Sequence, residues 1–432
     1  MQRILSTQLP SHTGEKVLLA GWIHRRRLLK SVAFAILRDA AGLAQTVITE
    51  PALRAEIEQM TEESVVEVEG TAIANEAAPG GVEVEVATVR VVSPAQPPLF
   101  DLYRPELKSS LPTQLDHAAV ALRHPLRQAA FRLTAAATQG FRNTLDAQGF
   151  VEVHTPKIVA SATESGANLF SIDYFGRPAF LAQSPQFYKQ TMVGVFERVY
   201  EVGPVFRAEP SDTVRHLAQY TSLDMELGFI RDHRDVMPVL RDVVAGMVTS
   251  VGERAAPSVQ AWGLTLPDVP AEIPWIHFAD ALELIGAATG ESLAGEPDLA
   301  PAHERWLGDW ARREHGSDFL FVVGYPMVKR PFYTHPDPTR PEFSNSFDLI
   351  FRGMELVTGG QRLHRYDDYV AALAARGEST EAYTGYLEAF RHGMPPHGGF
   401  AIGLERFVMR LTEVANIREV TLFPRDLNRL TP

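Results

Sequence analysis

The densest set of residues that could do chemistry lies between Val199 and Phe229, a stretch that reads as two strands joined by a polar loop. Because successive side chains of a strand point to opposite faces, Arg207 and Glu209 share one side of the first strand. The second strand alternates between an apolar and a polar face, and its polar side chains are Tyr220, Ser222, Asp224 and Glu226. A solvated sheet face alternates in the same way. Because arginine and carboxylate side chains accumulate here, we interpret the polar face as the floor of a binding site.

A second group of charges lies in a predicted β-hairpin around Arg352-Gly353. A two-residue turn there would place Asp348 opposite Val357 and would make Asp348 and Glu355 diagonal neighbours on one face. Two carboxylates at that range repel unless a cation lies between them, and carboxylate oxygens suit Mg²⁺ that is held together with substrate phosphates. Without a phosphate substrate, a salt-bridged hairpin explains the pattern equally well. The hairpin therefore predicts a magnesium site only if the substrate carries phosphates.

A glycine-spaced strand from Pro395 to Gly403 leads into a helix that begins near Arg406. Small residues at positions 399, 401 and 403 leave a bare face, against which a flat ring could lie. No G-x-x-x-x-G-K-[ST] motif occurs in the chain, so a P-loop is excluded. Together with the cations Arg207 and His216, these features predict a nucleoside triphosphate site that works by positioning and charge neutralisation.

The composition limits the class of protein. The chain has 432 residues, enough for about two or three domains. It contains no cysteine, which excludes disulfides and cysteine-based metal centres. Its formal net charge of −12 argues against indifferent coating of nucleic acids, although a local basic patch could still bind one structured RNA. Because no apolar run approaches the roughly 18 residues of a membrane span and the N-terminus lacks a signal-peptide core, we expect a cytoplasmic protein without membrane contact.

Residues up to about Ser93 carry five short strand signals, with a helical segment at Pro51–Met60 between the third and the fourth. This order fits an OB-type barrel, a frequent platform for single-stranded nucleic acid. The cluster His24-Arg25-Arg26-Arg27 lies where the first strand leaves the barrel, and Phe34 is nearby. Three adjacent arginines usually form a solvated face. On such a barrel they predict contact with RNA.

The rest of the chain predicts a second, larger domain. A proline-rich linker runs from Ser93 to Pro112. An amphipathic helix follows from Leu126 to Leu145, and a strand then stops at Pro156. The expected fold class is α+β, with a five-stranded OB-fold barrel at 1–94, a linker or hinge at 95–115, and a second domain of strands and helices at 116–432.

Three segments resemble the signature motifs of the class II aminoacyl-tRNA synthetases. They are the helix and strand at about 126–156, the F-R-A-E of Phe206–Glu209 within 199–229, and the G-F-A-I-G-L-E-R of Gly399–Arg406 within about 398–411. A barrel followed by such a catalytic domain resembles subclass IIb, and this resemblance implies an antiparallel sheet flanked by helices at 116–432. Q-S-P-Q-F-Y-K-Q and R-G-M-E-L-V-T-G-G-Q-R look like segments of the aspartyl-tRNA synthetases, in their short archaeal-type form. The resemblance covers essentially the whole chain.

The resemblance implies an aspartate–tRNA ligase that uses ATP and Mg²⁺. Arg207 and Arg406 would be the catalytic residues: Arg207 would bridge the aspartate α-carboxylate and the α-phosphate, and Arg406 would cover the adenine and contact the γ-phosphate. Glu209 would hold the adenine amino group, and Tyr220 would stack on the adenine face opposite to the one that Arg406 covers. The full set expected to bind ATP is Arg207, Ala208, Glu209, Arg215, His216, Leu217, Tyr220, Glu355, Gly403, Leu404, Glu405 and Arg406.

The resemblance also implies an aspartate pocket and a metal site. Asp224 would take the substrate ammonium, and Lys189 and Arg362 would take its side-chain carboxylate. The expected aspartate-binding set is Glu164, Gln186, Lys189, Arg207, Asp224, Thr358 and Arg362, and the expected metal ligands are Asp348, Glu355 and Thr358. Glu226 shares the polar face without an assigned role. Ala401 stands where the family often has glycine, which is a mild departure.

Asparaginyl-tRNA synthetases share this architecture and are the nearest alternative. A neutral amide would not require two cations, and a lysine buried beside it would cost several kcal/mol, roughly the penalty of an unpaired buried charge. This favours aspartate. A catalytically silent paralogue that binds tRNA or senses amino acids is disfavoured, because Arg207, Arg406, Asp348 and Glu355 are all present.

Members of this family that charge both tRNA(Asp) and tRNA(Asn) tend to carry a histidine two residues after the barrel tryptophan and a proline in the last barrel turn. His24 and Pro79 match both positions, so we hypothesise a non-discriminating enzyme. Alternatively, Pro79 only shapes its Pro-Gly-Gly turn. The expected contacts with the tRNA anticodon are His24, Arg25, Arg26, Arg27, Phe34 and Pro79. The resemblance further implies a homodimer through the unit from Leu126 to Pro156.

Overall fold

The structure of the protein is a computed structural model that describes residues 1–160, 169–210 and 213–432. Contacts within the chain divide it into two compact units, Met1–Pro125 and Leu126–Pro432. Within the described residues, no helix combines the length and the apolar character needed to cross a membrane.

The first unit is built on a closed five-stranded barrel. Its elements are β1 (Lys16–Leu28), β2 (Ala33–Arg38), β3 (Leu43–Ile48), α1 (Pro51–Gln59), β4 (Val65–Ala74) and β5 (Val82–Ser93). The strands neighbour one another in the order β1-β2-β3-β5-β4, and the parallel pairing of β3 with β5 closes the barrel. Ile23, Val66 and Val84 are fully buried in its core. The predicted OB-type barrel is therefore confirmed.

Two short helices complete the first unit, α2 (Leu111–Asp116) and α3 (Ala118–Ala121). Phe100 and Leu102 form a small buried cluster with Ala121 of α3. Part of the segment predicted as a linker is thus packed within this unit.

The second unit is organised around an eight-stranded sheet in the order β12-β13-β14-β15-β16-β11-β10-β6. A separate three-stranded sheet has the order β7-β9-β8. The strands are β6 (Val151–Glu152), β7 (Ile158–Val159), β8 (Ser171–Tyr174), β9 (Arg177–Leu181), β10 (Arg198–Phe206), β11 (Gln219–Gly228), β12 (Trp275–His277), β13 (Phe319–Val323), β14 (Ser346–Phe351), β15 (Met354–Gln361) and β16 (His397–Gly403). Pairing is antiparallel through the centre of the large sheet and parallel only at its two edges, between β6 and β10 and between β12 and β13. The large sheet is therefore mixed, and the predicted antiparallel pairing is confirmed for its central strands.

Nine helices flank or follow these strands in the described part of the second unit. They are α4 (Pro125–Ala147), α5 (Gln186–Phe196), α6 (Met237–Arg254), α7 (Ala256–Trp262), α8 (Phe278–Thr289), α9 (Pro301–His315), α10 (Tyr366–Ala375), α11 (Thr384–Arg391) and α12 (Leu404–Thr412). Phe141 of α4, Met247 of α6 and Phe407 of α12 share one buried cluster with Met225 and Phe400 of the sheet. One sheet face is therefore apolar and covered by helices, which leaves the polar side chains on the other face.

The register of the hairpin β14–β15 differs from the prediction at one point. Asp348 pairs with Thr358, not with Val357, because a β-bulge adds Leu356 to the second strand. A bulge opposes two residues to one and shifts the alternation of side chains by one. As a result Glu355 and Thr358, which are three residues apart, lie on the same face as Asp348. The bulge is what gathers all three predicted metal ligands.

Candidate active site

The polar face of β11 lies beside the small residues of β16. Ser222, Asp224 and Glu226 stand opposite Gly403, Ala401 and Gly399, respectively. A Cβ atom at Gly399 would lie 2.2 Å from Glu226 Oε2 and 2.0 Å from the backbone oxygen of Met225, so glycine is required there. The bare strip expected from the sequence therefore divides into two parts. Ala401 and Gly403 line an open cavity, whereas Gly399 lies against the Glu226 carboxylate.

The cavity over this strip has a volume of about 180 Å³. Of the 12 residues expected to bind ATP, all but Ala208 and Leu404 line it. Leu404 packs instead into the main apolar core of the second unit. Ser222, Thr358 and Ile417 line the cavity as well. The structure therefore brings together the predicted residues of the β10–β11 loop, the hairpin and the start of α12.

Arginine side chains dominate the wall of the cavity. The guanidinium carbon of Arg207 lies 5.6 Å from the centre of the Tyr220 ring, and Arg406 Nη1 donates to the backbone oxygen of Glu355 at 3.0 Å. Burial, with help from Arg406 and Arg215, lowers the pKa of His216, so this ring is neutral near pH 7. The cavity presents three guanidinium groups, which is an arrangement suited to a polyanion.

Two carboxylates at the cavity edge hold backbone groups. Glu405 accepts the N–H of Thr221 with both oxygens at 3.0 Å, and burial raises its pKa. Glu304, at the start of α9, accepts the N–H of Glu355 at 2.9 Å and lies 3.3 Å from Arg215 Nη1. Glu405 was expected at the site from the sequence, whereas Glu304 was not.

The predicted metal ligands share one face of the hairpin. Thr358 is the cross-strand partner of Asp348 and donates its hydroxyl to Glu355 Oε1 at 3.3 Å. Asp348 is buried and forms an ion pair of 3.1 Å with Arg330. Burial raises the pKa of Asp348 to about 7; Arg330 opposes this shift and Glu355 adds to it.

This donor set fits a magnesium ion. Carboxylate and hydroxyl oxygens are hard ligands, and two carboxylates with one hydroxyl leave further positions for phosphate oxygens and water. Burial is the main cause of the raised pKa of Asp348, and the nearby Glu355 carboxylate adds to it. A divalent cation would relieve the repulsion between the two carboxylates. Arg330 already contributes one positive charge at Asp348, so Arg330 and a metal ion would share this carboxylate.

The residues predicted to bind the aspartate side chain form a buried group of ion pairs away from the cavity wall. Lys189 Nζ lies 3.0 Å from Asp224 Oδ1 and 3.3 Å from Glu226 Oε2. Arg362 Nε donates to Glu226 Oε1 at 3.0 Å. Burial by itself would raise the pKa of Glu226, but Arg362 and Lys189 bring it below its ordinary value. Two cations and two carboxylates thus neutralise one another in what we call the ion-pair pocket (Lys189, Asp224, Glu226, Arg362).

The argument that a buried Lys189 would remain unpaired without a substrate carboxylate is wrong for this structure. Its ammonium group contacts Asp224 and Glu226 and also donates to the backbone oxygen of Phe400 at 3.1 Å. Glu226, to which the sequence gave no role, supplies the additional negative charge. A preference for aspartate must therefore come from an exchange of partners in the ion-pair pocket and not from a vacant cation.

Gln186 begins a buried network behind the ion-pair pocket. Its side-chain amide donates to Gln190 Oε1 at 3.0 Å, and Gln190 Nε2 lies 2.9 Å from His397 Nε2. His397 Nδ1 lies 2.8 Å from the backbone oxygen of Pro395, which requires the Nδ1–H tautomer. Burial lowers the pKa of His397 to about 4, so the ring is neutral. Glu164, the remaining predicted aspartate ligand, lies outside the described residues.

In the first unit, His24 lies behind the barrel surface. Its Nδ1 is 3.2 Å from Arg38 Nη1, and its pKa is lowered to about 4 by burial and by Arg38. Arg38 forms a buried ion pair of 2.7 Å with Glu63 and lies 5.6 Å from the centre of the exposed Trp22 ring. His24 is therefore placed to support Arg38 and Trp22 and does not itself form part of the surface.

The neighbouring arginines differ in their partners. Arg26 is held by an ion pair of 3.2 Å with a glutamate, whereas Arg25 and Arg27 are exposed. The guanidinium of Arg27 lies 5.8 Å from the centre of the Phe34 ring. Pro79 is exposed at the start of a short 3₁₀ turn between β4 and β5. Arg25, Arg27 and Phe34 together form a cationic and aromatic surface of the kind that contacts bases and phosphates.

Among the charged residues that the structure describes at the site, Glu226, Arg330 and Glu304 were missed from the sequence. Strand alternation in the sequence could have identified Glu226, because it shares its strand face with Asp224. Arg330 and Glu304 lie in segments without a local motif, and their place in the site follows only from the packing of α9 and of the segment before β14 against the hairpin.

Comparison with known proteins indicates the family of the chain. The family model of the class II tRNA synthetases (D, K and N) matches residues 110–427, and that of the OB-fold nucleic acid binding domain matches residues 17–92. A relative from Thermus thermophilus, named Aspartate--tRNA(Asp/Asn) ligase, is 43% identical over 431 residues, with 100% of both chains covered. A relative of the same name from Deinococcus radiodurans is 44% identical over 441 residues, covering 100% of this chain and 99% of its own.

Among solved structures, asparaginyl-tRNA synthetase from Pyrococcus horikoshii complexed with asparaginyl-adenylate is similar, with a TM-score of 0.94 and 30% identity over 100% of both chains. The predicted family is confirmed by these matches. The chain belongs to the class II aminoacyl-tRNA synthetases of the D, K and N group.

Proposed function

We propose that the protein is an aspartate–tRNA ligase that also charges tRNA(Asn). The observation that carries the proposal is the ion-pair pocket, in which Lys189 and Arg362 lie beside the arginine-lined cavity on the same sheet face. The full-length relatives named Aspartate--tRNA(Asp/Asn) ligase support it. The substrates are ATP, L-aspartate and tRNA.

In the first step, an oxygen of the aspartate α-carboxylate attacks the α-phosphorus of ATP and pyrophosphate leaves. Because the carboxylate is already ionised at pH 7, no general base is needed. Two anions must instead be brought together, and Arg207 at the cavity wall is placed to neutralise both. Tyr220 stacks on the adenine, and Glu209 accepts a hydrogen bond from the adenine amino group. Arg215, His216 and Arg406 contact the phosphates.

A magnesium ion would be held by Asp348, Glu355 and Thr358. When bound, it supplies positive charge to the β- and γ-phosphates and so favours departure of pyrophosphate. In the second step, the terminal ribose hydroxyl of tRNA attacks the carbonyl carbon of aspartyl-adenylate. AMP leaves, and the hydroxyl proton passes to its phosphate. The products are aspartyl-tRNA and AMP.

Binding of aspartate requires an exchange of partners in the ion-pair pocket. The substrate ammonium binds to Asp224, and the side-chain carboxylate competes with Glu226 for Lys189 and Arg362. Asparagine has no negative side chain to offer these cations, so it cannot replace a Glu226 contact with one of equal charge. Selection of aspartate over asparagine therefore depends on the strength of the Glu226 contacts.

We assign recognition of the anticodon to the barrel, residues 1–94, and catalysis to residues 116–432. Arg25, Arg27 and Phe34 contact the tRNA directly, with Arg26 beside them, and His24 acts through Arg38 and Trp22. His24 and Pro79 carry the hypothesis of dual tRNA use. We further propose a cytoplasmic homodimer formed through the unit 126–156, which rests on the resemblance to the family and which a solution mass measurement can test.

Charging of pure tRNA transcripts tests the proposal. We expect aspartate to be attached to transcripts of both tRNA(Asp) and tRNA(Asn), with a tRNA(Lys) transcript as the control that stays uncharged. Charging of tRNA(Asp) alone would reject dual tRNA use and leave the ligase activity intact. Absence of charging on both transcripts would reject the proposed function.

A further inference from the structure

Glu304 is a buried carboxylate that contacts two functional segments at once. It lies in the first turn of α9, and its side chain is 6% exposed. Its two oxygens lie 3.4 Å and 3.3 Å from Arg215 Nη1. One of them also accepts the backbone N–H of Glu355 at 2.9 Å. Through these contacts Glu304 connects α9 to both the β10–β11 loop and the hairpin β14–β15.

Both partners of Glu304 belong to the wall of the cavity. Arg215 and Glu355 line it directly, and Glu355 contacts Thr358 and Arg406. A guanidinium on a loop loses considerable side-chain entropy when it is fixed by a ligand alone. A buried carboxylate that already holds the guanidinium removes part of that cost before the ligand arrives.

A purely structural role explains this residue poorly. Burying a carboxylate is costly, and a neutral side chain could accept the N–H of Glu355 without that desolvation penalty. The negative charge of Glu304 is stabilised by the guanidinium of Arg215, which lies on the β10–β11 loop. Burial raises the pKa of Glu304, whereas the Glu355 N–H and Arg215 lower it, so these two contacts oppose its neutralisation.

We propose that Glu304 is a positioning residue for ATP binding, which aims Arg215 at the phosphates and fixes the backbone of Glu355 beside the metal ligands. This inference rests on the proposed function, in which Arg215 contacts phosphate. Glu304 does not touch the substrate. It links the loop that carries a phosphate-binding cation to the hairpin that carries the metal carboxylates.

Calorimetric titration of the full-length protein with ATP and Mg²⁺ tests the inference. The variants are Glu304→Gln, Arg215→Met and the double variant, with Glu314→Gln, an exposed glutamate of the same helix, as the matched control. Glutamine retains an acceptor for the Glu355 N–H but loses the charge that holds Arg215. Glu304→Asp, which keeps the charge and withdraws it by one methylene, serves if the glutamine variant does not fold.

We expect Glu304→Gln, and likewise Glu304→Asp, to raise the Kd for ATP about tenfold, which is the loss of roughly one charge-assisted contact. Arg215→Met should raise it by at least as much. Because Glu304 acts through Arg215, the double variant should bind ATP within about twofold of Arg215→Met. The control should stay within about twofold of the wild type.

Two results for the Glu304 variants would overturn the inference. One is an unchanged Kd in Glu304→Gln while Arg215→Met weakens ATP, and the other is full additivity of the two substitutions. An unchanged Kd in Arg215→Met would overturn it as well, by removing Arg215 from the phosphate contacts. Because ATP binding is measured without amino acid or tRNA, failure of aspartate charging in the wild type would count against the proposed function alone.

Discussion

The cavity and the ion-pair pocket lie on the same face of one sheet, yet they hold their charges in opposite ways. In the cavity, Arg207 and Arg406 border open space and are partly exposed. In the ion-pair pocket, the side chains of Lys189 and Arg362 are 1% and 8% exposed, and carboxylates lie within 3.3 Å of each. The cavity is open to a polyanion, whereas a substrate that binds in the pocket, as we propose for aspartate, would have to displace an internal partner.

This difference bears on how each site selects its ligand. A cavity lined by guanidinium groups binds any polyphosphate with suitable geometry, so the proposed contacts of Tyr220 and Glu209 with the adenine would have to supply the selectivity there. In the pocket every substrate contact competes with an existing ion pair of similar geometry. Only a ligand that replaces the Glu226 contacts with contacts of equal charge binds without a loss of free energy, because a buried cation left without a partner is costly.

Substitution of Arg207 gives the largest expected effect. In Arg207→Ala the two reacting anions lose their shared counter-charge, and we expect ATP–pyrophosphate exchange to fall by at least about 1,000-fold. The thermal unfolding midpoint should remain close to that of the wild type, because Arg207 borders the open cavity. Exchange at a near-normal rate in this variant would refute the bridging role.

Substitution of Lys189 should affect the amino acid far more than the nucleotide. In Lys189→Leu, kcat/KM for aspartate is expected to fall about 500-fold, since removing one partner of a buried charge pair costs several kcal/mol. The KM for ATP should stay within about threefold of the wild type. Lys16→Leu, at an exposed lysine of the barrel, is the control. Equal changes in both kinetic terms would mean that the pocket is misassigned.

The free energy of unfolding should respond differently to substitution of a buried glutamate in each of the two regions. Glu226→Gln removes the charge shared by Lys189 and Arg362, and we expect it to lower the free energy of unfolding by about 3 kcal/mol. Glu405→Gln should cost less than about 1 kcal/mol, because an amide oxygen can still accept the Thr221 N–H. Denaturant titration at pH 7 measures both, and equal losses would contradict the distinction.

The pH dependence gives the sign of the Glu226 contribution. Its pKa is lower in the folded protein than its ordinary value, so its stabilising contribution is present above that ordinary value, near pH 4.5, and is lost as the pH falls through the folded pKa. The difference between wild type and Glu226→Gln should therefore shrink in acid. Glu405 has a raised pKa and should show the opposite trend.

The smallest expected effect concerns two histidines. His397, behind the ion-pair pocket, should stay neutral down to about pH 4. His216, at the cavity, has a pKa lowered by burial and by three arginines, and bound phosphates should raise it. Selective carbon-13 labelling and NMR titration with and without ATP measure both rings. Titration of His397 near its ordinary pKa of 6.5 would contradict the burial of this network.

The sequence predicted the parts of the site that local spacing determines. Strand alternation placed Tyr220, Asp224 and Glu226 on one face, and the resemblance identified most residues of the cavity. The hairpin register was wrong by one residue, since nothing in the local pattern marks Leu356 as a bulge. The barrel followed from strand signals and their order, whereas the antiparallel sheet was implied by the resemblance to the family.

Side-chain partners could not be predicted in this way. Whether Lys189 is unpaired depends on Glu226, which reaches it across strands, and the burial of His24 depends on Arg38 in the next strand. Glu304 and Arg330 join the site from segments that carry no motif. Contacts of this kind follow from the packing of distant elements, so residue spacing carries little information about them.

Amino-acid-dependent ATP–pyrophosphate exchange tests the central claim most directly. Exchange would be measured with the wild-type protein and aspartate, asparagine or lysine as the only amino acid present. The exchange of partners in the ion-pair pocket predicts that aspartate supports rapid exchange and that asparagine and lysine do not. Exchange with asparagine at a rate equal to or above that with aspartate would contradict the account.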